Sequence, residues 1–63
     1  MANKITLTRL EIERIITYLA LNRNVEQIDI EQTSYGIGFG HVVHYFYPSG
    51  ESVTQDITDV SNW

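Results

Sequence analysis

The hydrophobic pattern of the chain changes period once. Over residues 8–22, Leu10, Ile12, Ile15, Ile16 and Leu19 recur at the three-to-four residue spacing of one buried helical stripe. Thr8-Arg9-Leu10-Glu11 has the spacing of a capping box, in which hydroxyl and carboxylate each satisfy a free backbone N–H of the first turn. Arg9 and Glu13 form an i,i+4 pair on the opposite, solvated side, and Asn22 and Asn24 tolerate the left-handed backbone that ends helices. Beyond them the period becomes two. Ile28 and Ile30 alternate with Gln27, Asp29 and Glu31, which predicts a half-buried strand over 27–33. A second strand, rich in β-branched and aromatic residues, is predicted over 41–47, and a third over 52–58. Between them Tyr47-Pro48-Ser49-Gly50-Glu51 reads as a turn. The order αβββ predicts an α+β fold, one N-terminal helix packed on a three-stranded antiparallel meander, with residues 1–63 forming a single domain.

The second strand is apolar on both faces, so its orientation must come from the hairpin. With two or four residues in the turn, Phe46 lies opposite Val53 and Val42 opposite Ile57. Opposed residues share a face, so these four would lie under the helix with Ile28 and Ile30. His41, Val43, Tyr45 and Tyr47 would then point away from it, joined by Ile37 and Phe39 if the strand runs unbroken through the glycines. A bulge at Gly38 or Gly40 would instead return Ile37 and Phe39 to the core. A three-residue turn would reverse the whole assignment, because a one-residue slip exchanges the two faces. The even turn is favoured because it leaves Ser52, Thr54, Asp56 and Thr58 in water. It yields an aromatic outer stripe bordered by Asp29, Glu31 and Asp56, the composition of an interface core with a polar rim.

Charge narrows the range of partners. The net charge is −4, and all four basic residues (Lys4, Arg9, Arg14, Arg23) precede residue 24. Six acids and no Lys or Arg follow, a balance that phosphate backbones repel, so direct nucleic-acid binding is not expected. A chain of 63 residues buries only about 60% of its unfolded surface. Without cysteine it has no disulfide or thiolate metal site to compensate, which leaves association with a partner or with itself. The first ten residues lack an apolar signal-peptide core, and Ile15 to Leu21 is far short of a membrane span. No membrane association and a cytoplasmic location are the expectations.

Motifs for chemistry are weak. Gly36-Ile-Gly-Phe-Gly40 lacks the following helix and the lysine of a phosphate loop, so its glycines read as structural, allowing close helix packing or forming a hairpin tip. His41 and His44, three apart on a strand, face opposite ways and cannot hold one ion. His44 reads as a core-edge histidine and His41 as a surface one. Ser49 lies in a turn, and the acid pairs Asp29/Glu31 and Asp56/Asp59 have little room for a pKa-shifting pocket. No catalytic residues, cofactor or metal are expected, and the protein reads as a non-enzyme. Asp29 and Glu31 stand about 7 Å apart on one face, comparable to successive phosphates of a DNA strand, which raises the alternative of a DNA mimic.

Ile57, Val60 and Trp63 recur every three residues, as in one short helical turn capped by Thr58 or Asp59. A tryptophan so placed either covers the core edge or anchors a partner. The Gly-rich segment, the Tyr-Pro-Ser-Gly turn and Asp56-Ile-Thr-Asp59 followed by Trp63 resemble short bacteriophage and mobile-element proteins. That resemblance implies a setting in which small acidic proteins inhibit host enzymes or defence complexes, anti-CRISPR proteins among them. The expected function is therefore a small acidic protein-binding module acting as an inhibitor or modulator. Its candidate contact residues are Phe39, His41, Val43, Tyr45, Tyr47 and Trp63, with Asp29, Glu31 and Asp56 as the charged border. A structural homo-oligomer, a dimer using the same face, is the alternative of a different class.

Overall fold

The computed structural model describes residues 4–36 and 38–62; Ile37 and Trp63 lie outside the described residues. Helix α1 spans Arg9–Leu21. Its capping box is complete: the Glu11 N–H donates to Thr8 Oγ1 (3.3 Å) and the Thr8 N–H to Glu11 Oε1 (2.9 Å). At the other end the Asn22 N–H donates to the Tyr18 carbonyl. Strands β1 (Gln27–Tyr35), β2 (Gly38–Phe46) and β3 (Ser52–Asp56) form one antiparallel sheet in the order β1-β2-β3. The fold is α+β with the helix first, as the change of period predicts. A 3₁₀ turn at Val60–Asn62 follows, capped by Asp59, whose Oδ1 accepts the Ser61 N–H at 3.0 Å.

Two expectations about facing are overturned. Tyr47 N–H donates to the Glu51 carbonyl and Gly50 N–H to the Tyr47 carbonyl, both at 3.0 Å. The bend is thus a three-residue loop of Pro48, Ser49 and Gly50, with Gly50 at φ 94° in the region only glycine enters cheaply. The odd count sets Tyr45 opposite Val53 and Val43 opposite Gln55, one residue out of phase with the expected ladder. His41, Val43 and Tyr45 therefore lie beneath the helix, and Tyr47 reaches Tyr18 on the same side. Val42, His44 and Phe46 take the outer face. β1 and β3 keep the expected facing, with Ile28, Ile30, Val53 and Ile57 on the helix side.

The ladder between β1 and β2 pairs residues one to one from Gln27↔Phe46 to Tyr35↔Gly38, so no bulge interrupts Gly38 or Gly40. These two glycines face away from the helix, so close helix packing is not their role. Phe39 shares the helix side of β2 but stays 61% exposed, two residues before His41 on the strand.

The second correction concerns the helix. Only Ile15 and Glu11 are buried on it, while Leu10, Ile12 and Ile16 are exposed. The line that meets the sheet is Glu11, Ile15 and Tyr18, roughly a quarter turn from Ile12 and Ile16 at 3.6 residues per turn. The apolar core consists of Ile15, Val43, Tyr45 and Ile57, with Leu7, Tyr18, Leu19, Val25 and Ile30 packed around it.

Tyr45 is the largest fully buried side chain. Its ring stacks on Tyr18 at a centroid distance of 3.8 Å, and its hydroxyl donates to Gln55 Oε1 at 2.6 Å. Tyr45→Ala is expected to cost on the order of 3–5 kcal/mol, close to the total that a core this size supplies. Circular dichroism at 25 °C should show an unfolded chain. Tyr45→Phe, which loses only the hydrogen bond, should fold with a stability loss of about 1 kcal/mol.

Candidate functional site

Three groups of polar or exposed side chains remain once the core is assigned. The first is buried. Glu11, 2% exposed, accepts three hydrogen bonds with its side chain: from the Thr8 N–H, from His41 Nδ1 (2.8 Å) and from the Asp59 N–H (3.2 Å). An ionised carboxylate can only accept, so Nδ1 of His41 carries the proton. Thr8 Oγ1 donates to Asp59 Oδ2 at 2.8 Å, and Arg14 donates to the carbonyls of Ile57 and Thr58. Helix start, central strand and the segment after β3 are thus joined through one carboxylate. Burial pushes the Glu11 pKa up, but hydrogen bonds from Thr8, His41 and Asp59 outweigh that and hold it below 4.5. Asp59 is likewise held low, first by the Ser61 hydroxyl and then by Thr8. These residues form a structural clasp around a buried carboxylate. His41, expected at the surface, is a member of it.

The second group is aromatic. Tyr18, stacked on Tyr45, shares a 2.8 Å hydrogen bond between its hydroxyl and that of Tyr47. That bond is the first cause raising the Tyr47 pKa; burial is the first cause for Tyr45. Val43 and Tyr45 are wholly inaccessible, so the expected docking stripe of His41, Val43, Tyr45 and Tyr47 does not exist as an outer surface.

The third group occupies the outer face of the sheet, on the side away from the helix. Across it, from β1 to β3, run the rows Gln27–Phe46–Ser52, Asp29–His44–Thr54 and Glu31–Val42–Asp56. Val42, His44 and Phe46 are half-buried along the middle, between exposed positions on both edge strands. Asp29, Glu31 and Asp56 thus border this face as expected, but around Val42 and Phe46 rather than the tyrosines. Asp56 accepts from the Thr58 N–H and hydroxyl. His44 Nε2 lies 3.2 Å from Glu31 Oε1 and Nδ1 2.9 Å from Thr54 Oγ1. With Glu31 ionised, Nε2–H donates to it, and in the neutral ring Nδ1 accepts the Thr54 hydroxyl.

Carboxylate, imidazole and hydroxyl in a row superficially match a nucleophile relay. The row instead lies across a pleated face, with the Glu31 side chain 63% exposed. Cross-strand stitching of β1, β2 and β3 accounts for it. Among the described residues no group of three or more His, Asp or Glu side chains is arranged to hold a metal ion, and no helix is long and apolar enough to cross a membrane.

No protein-family model matches this chain, and no curated protein or solved structure matches it either.

The Glu11 clasp gives a signed pH dependence. Its pKa is lower folded than unfolded, so its contribution is present above pH 4.5 and fades as pH falls through the lower, folded value. Urea midpoints should hold steady from pH 7 to about 5 and drop below about 4.5. Glu11→Ala, which strands His41 and two N–H groups, should cost about 3 kcal/mol at pH 7. In Glu11→Gln the acid limb of the urea curve should be shallower than in the parent chain.

Proposed function

We propose that this protein is a non-enzymatic binding module that docks a basic surface of a partner protein through the outer face of its sheet. One observation carries the reading: an outer sheet face with Val42, His44 and Phe46 along its centre and edges on which acidic Asp29, Glu31 and Asp56 alternate with uncharged Gln27, Ser52 and Thr54. Arg9 and Arg14 lie on the helix, Lys4 before it and Arg23 after it, so the strands forming this face contain no Lys or Arg. A half-buried apolar centre within a charged rim is how protein interfaces divide the work, the centre supplying affinity and the rim supplying orientation and encounter rate.

The resemblance to phage and mobile-element proteins supplies the setting, an inhibitor or modulator of a host enzyme or defence complex. A nucleic-acid-binding partner fits the same face. Asp29 and Glu31 project two residues apart on one side of β1, so they would occupy the partner's phosphate sites as a DNA mimic.

Retention of proteins from a cell lysate on the immobilised chain and on an Asp29→Lys/Glu31→Lys/Asp56→Lys variant tests the proposal. A protein held by the first, absent from the second, and weakened about tenfold by a rise from 50 to 500 mM salt is the expected result. Phe46→Ala should also reduce its retention. Identical retention by parent and triple variant excludes this face. Competition by duplex DNA for the retained protein would identify the mimic.

A further inference from the structure

A second surface has a different character. Ile12 and Ile16 lie on adjacent turns of α1 and are 44% and 59% exposed; with Arg9, Glu13 and Thr17 they line a shallow depression. At helical spacing they share one flank with the partly buried Leu19, which lines a second shallow depression with Val25 and Ile28 at the start of β1. Ile28 is also exposed, so apolar surface continues from the helix flank down to that edge of the sheet.

We infer that this flank of α1 is the contact between two copies of the chain, packed helix against helix in antiparallel fashion around Ile12 and Ile16. Charge favours a second copy over any strongly charged partner. The ionised groups on the flank are Arg9 and Glu13, one of each sign, whereas the sheet face carries Asp29, Glu31 and Asp56 and no Lys or Arg, so two copies of it repel. A two-fold axis midway between Ile12 and Ile16 sets Ile12 of one copy across from Ile16 of the other. The same axis brings Arg9 against the last turn of the opposite helix, which contains no basic residue of its own. A cation there meets the negative end of the helix dipole.

Pairing through the helix leaves the acidic sheet faces of both copies outward, so the dimer would present the proposed docking face twice.

Light scattering on the eluting full chain at 10–500 µM tests this, with a mass of twice 7.3 kDa expected. Ile16→Glu should shift the dissociation constant by roughly a hundredfold and return a monomer, with helix content by circular dichroism unchanged. Phe46→Glu on the sheet face should leave the dimer intact, which separates this contact from the face proposed for partner binding. Isotope-filtered NMR on a half-labelled sample reads the contact without any substitution and should show Ile12 to Ile16 methyl cross-peaks between copies. A monomer throughout the range overturns the inference, as does a dimer whose intermolecular cross-peaks fall elsewhere.

Discussion

The arrangement depends on one buried carboxylate. Glu11 sits in the first turn of α1 and should be solvated there. Instead it is almost inaccessible, held by the Thr8 N–H, the His41 ring and the Asp59 N–H. Stripping water from a charge costs several kcal/mol, and only a full set of donors offsets it. Once those donors are in place the helix can neither roll nor slide without stranding the charge. Its rotation about its own axis is set by a polar contact rather than by the apolar stripe, and Ile12 and Ile16 turn outward as a consequence.

The other constraint is the three-residue bend. Gly50 accepts a positive φ, and the type I corner before it adds the odd residue that sets the phase of β2 against β3. From that phase follow the stack of Tyr45 on Tyr18 and the place of His41 within reach of Glu11. The two constraints reinforce each other, since His41 meets the helix start only when odd-numbered residues of β2 face inward. The chain then exposes two unlike surfaces. One is an anionic, lightly apolar sheet face, the other an isoleucine flank of α1 whose charges, Arg9 and Glu13, balance.

Local order was readable from residue types alone. The capping box, the change of period at residue 27, the alternation of Ile28 and Ile30 with Asp29 and Glu31, and a short final turn capped by Thr58 or Asp59 all depend on neighbours within four positions. Nearest-neighbour sterics and hydrogen bonds act over that range, so the sequence carries them openly. Pro48-Ser49-Gly50 also held a usable signal: proline at the first corner with glycine two residues on favours the three-residue bend with a left-handed glycine. The polar-outward pattern of β3 is compatible with either phase and could not correct a wrong choice.

What the sequence determined by itself was the set of elements, their order, and the acidic border of one sheet face, because β1 and β3 alternate unambiguously. Tertiary structure decided which side of β2 is covered and which side of α1 meets the sheet. β2 carries apolar residues on both faces and the apolar sector of α1 is broad, so the hydrophobic pattern alone does not choose between the orientations. The tie is broken by contacts between residues 30 and 48 positions apart, Glu11 with His41 and Asp59, which no local pattern records.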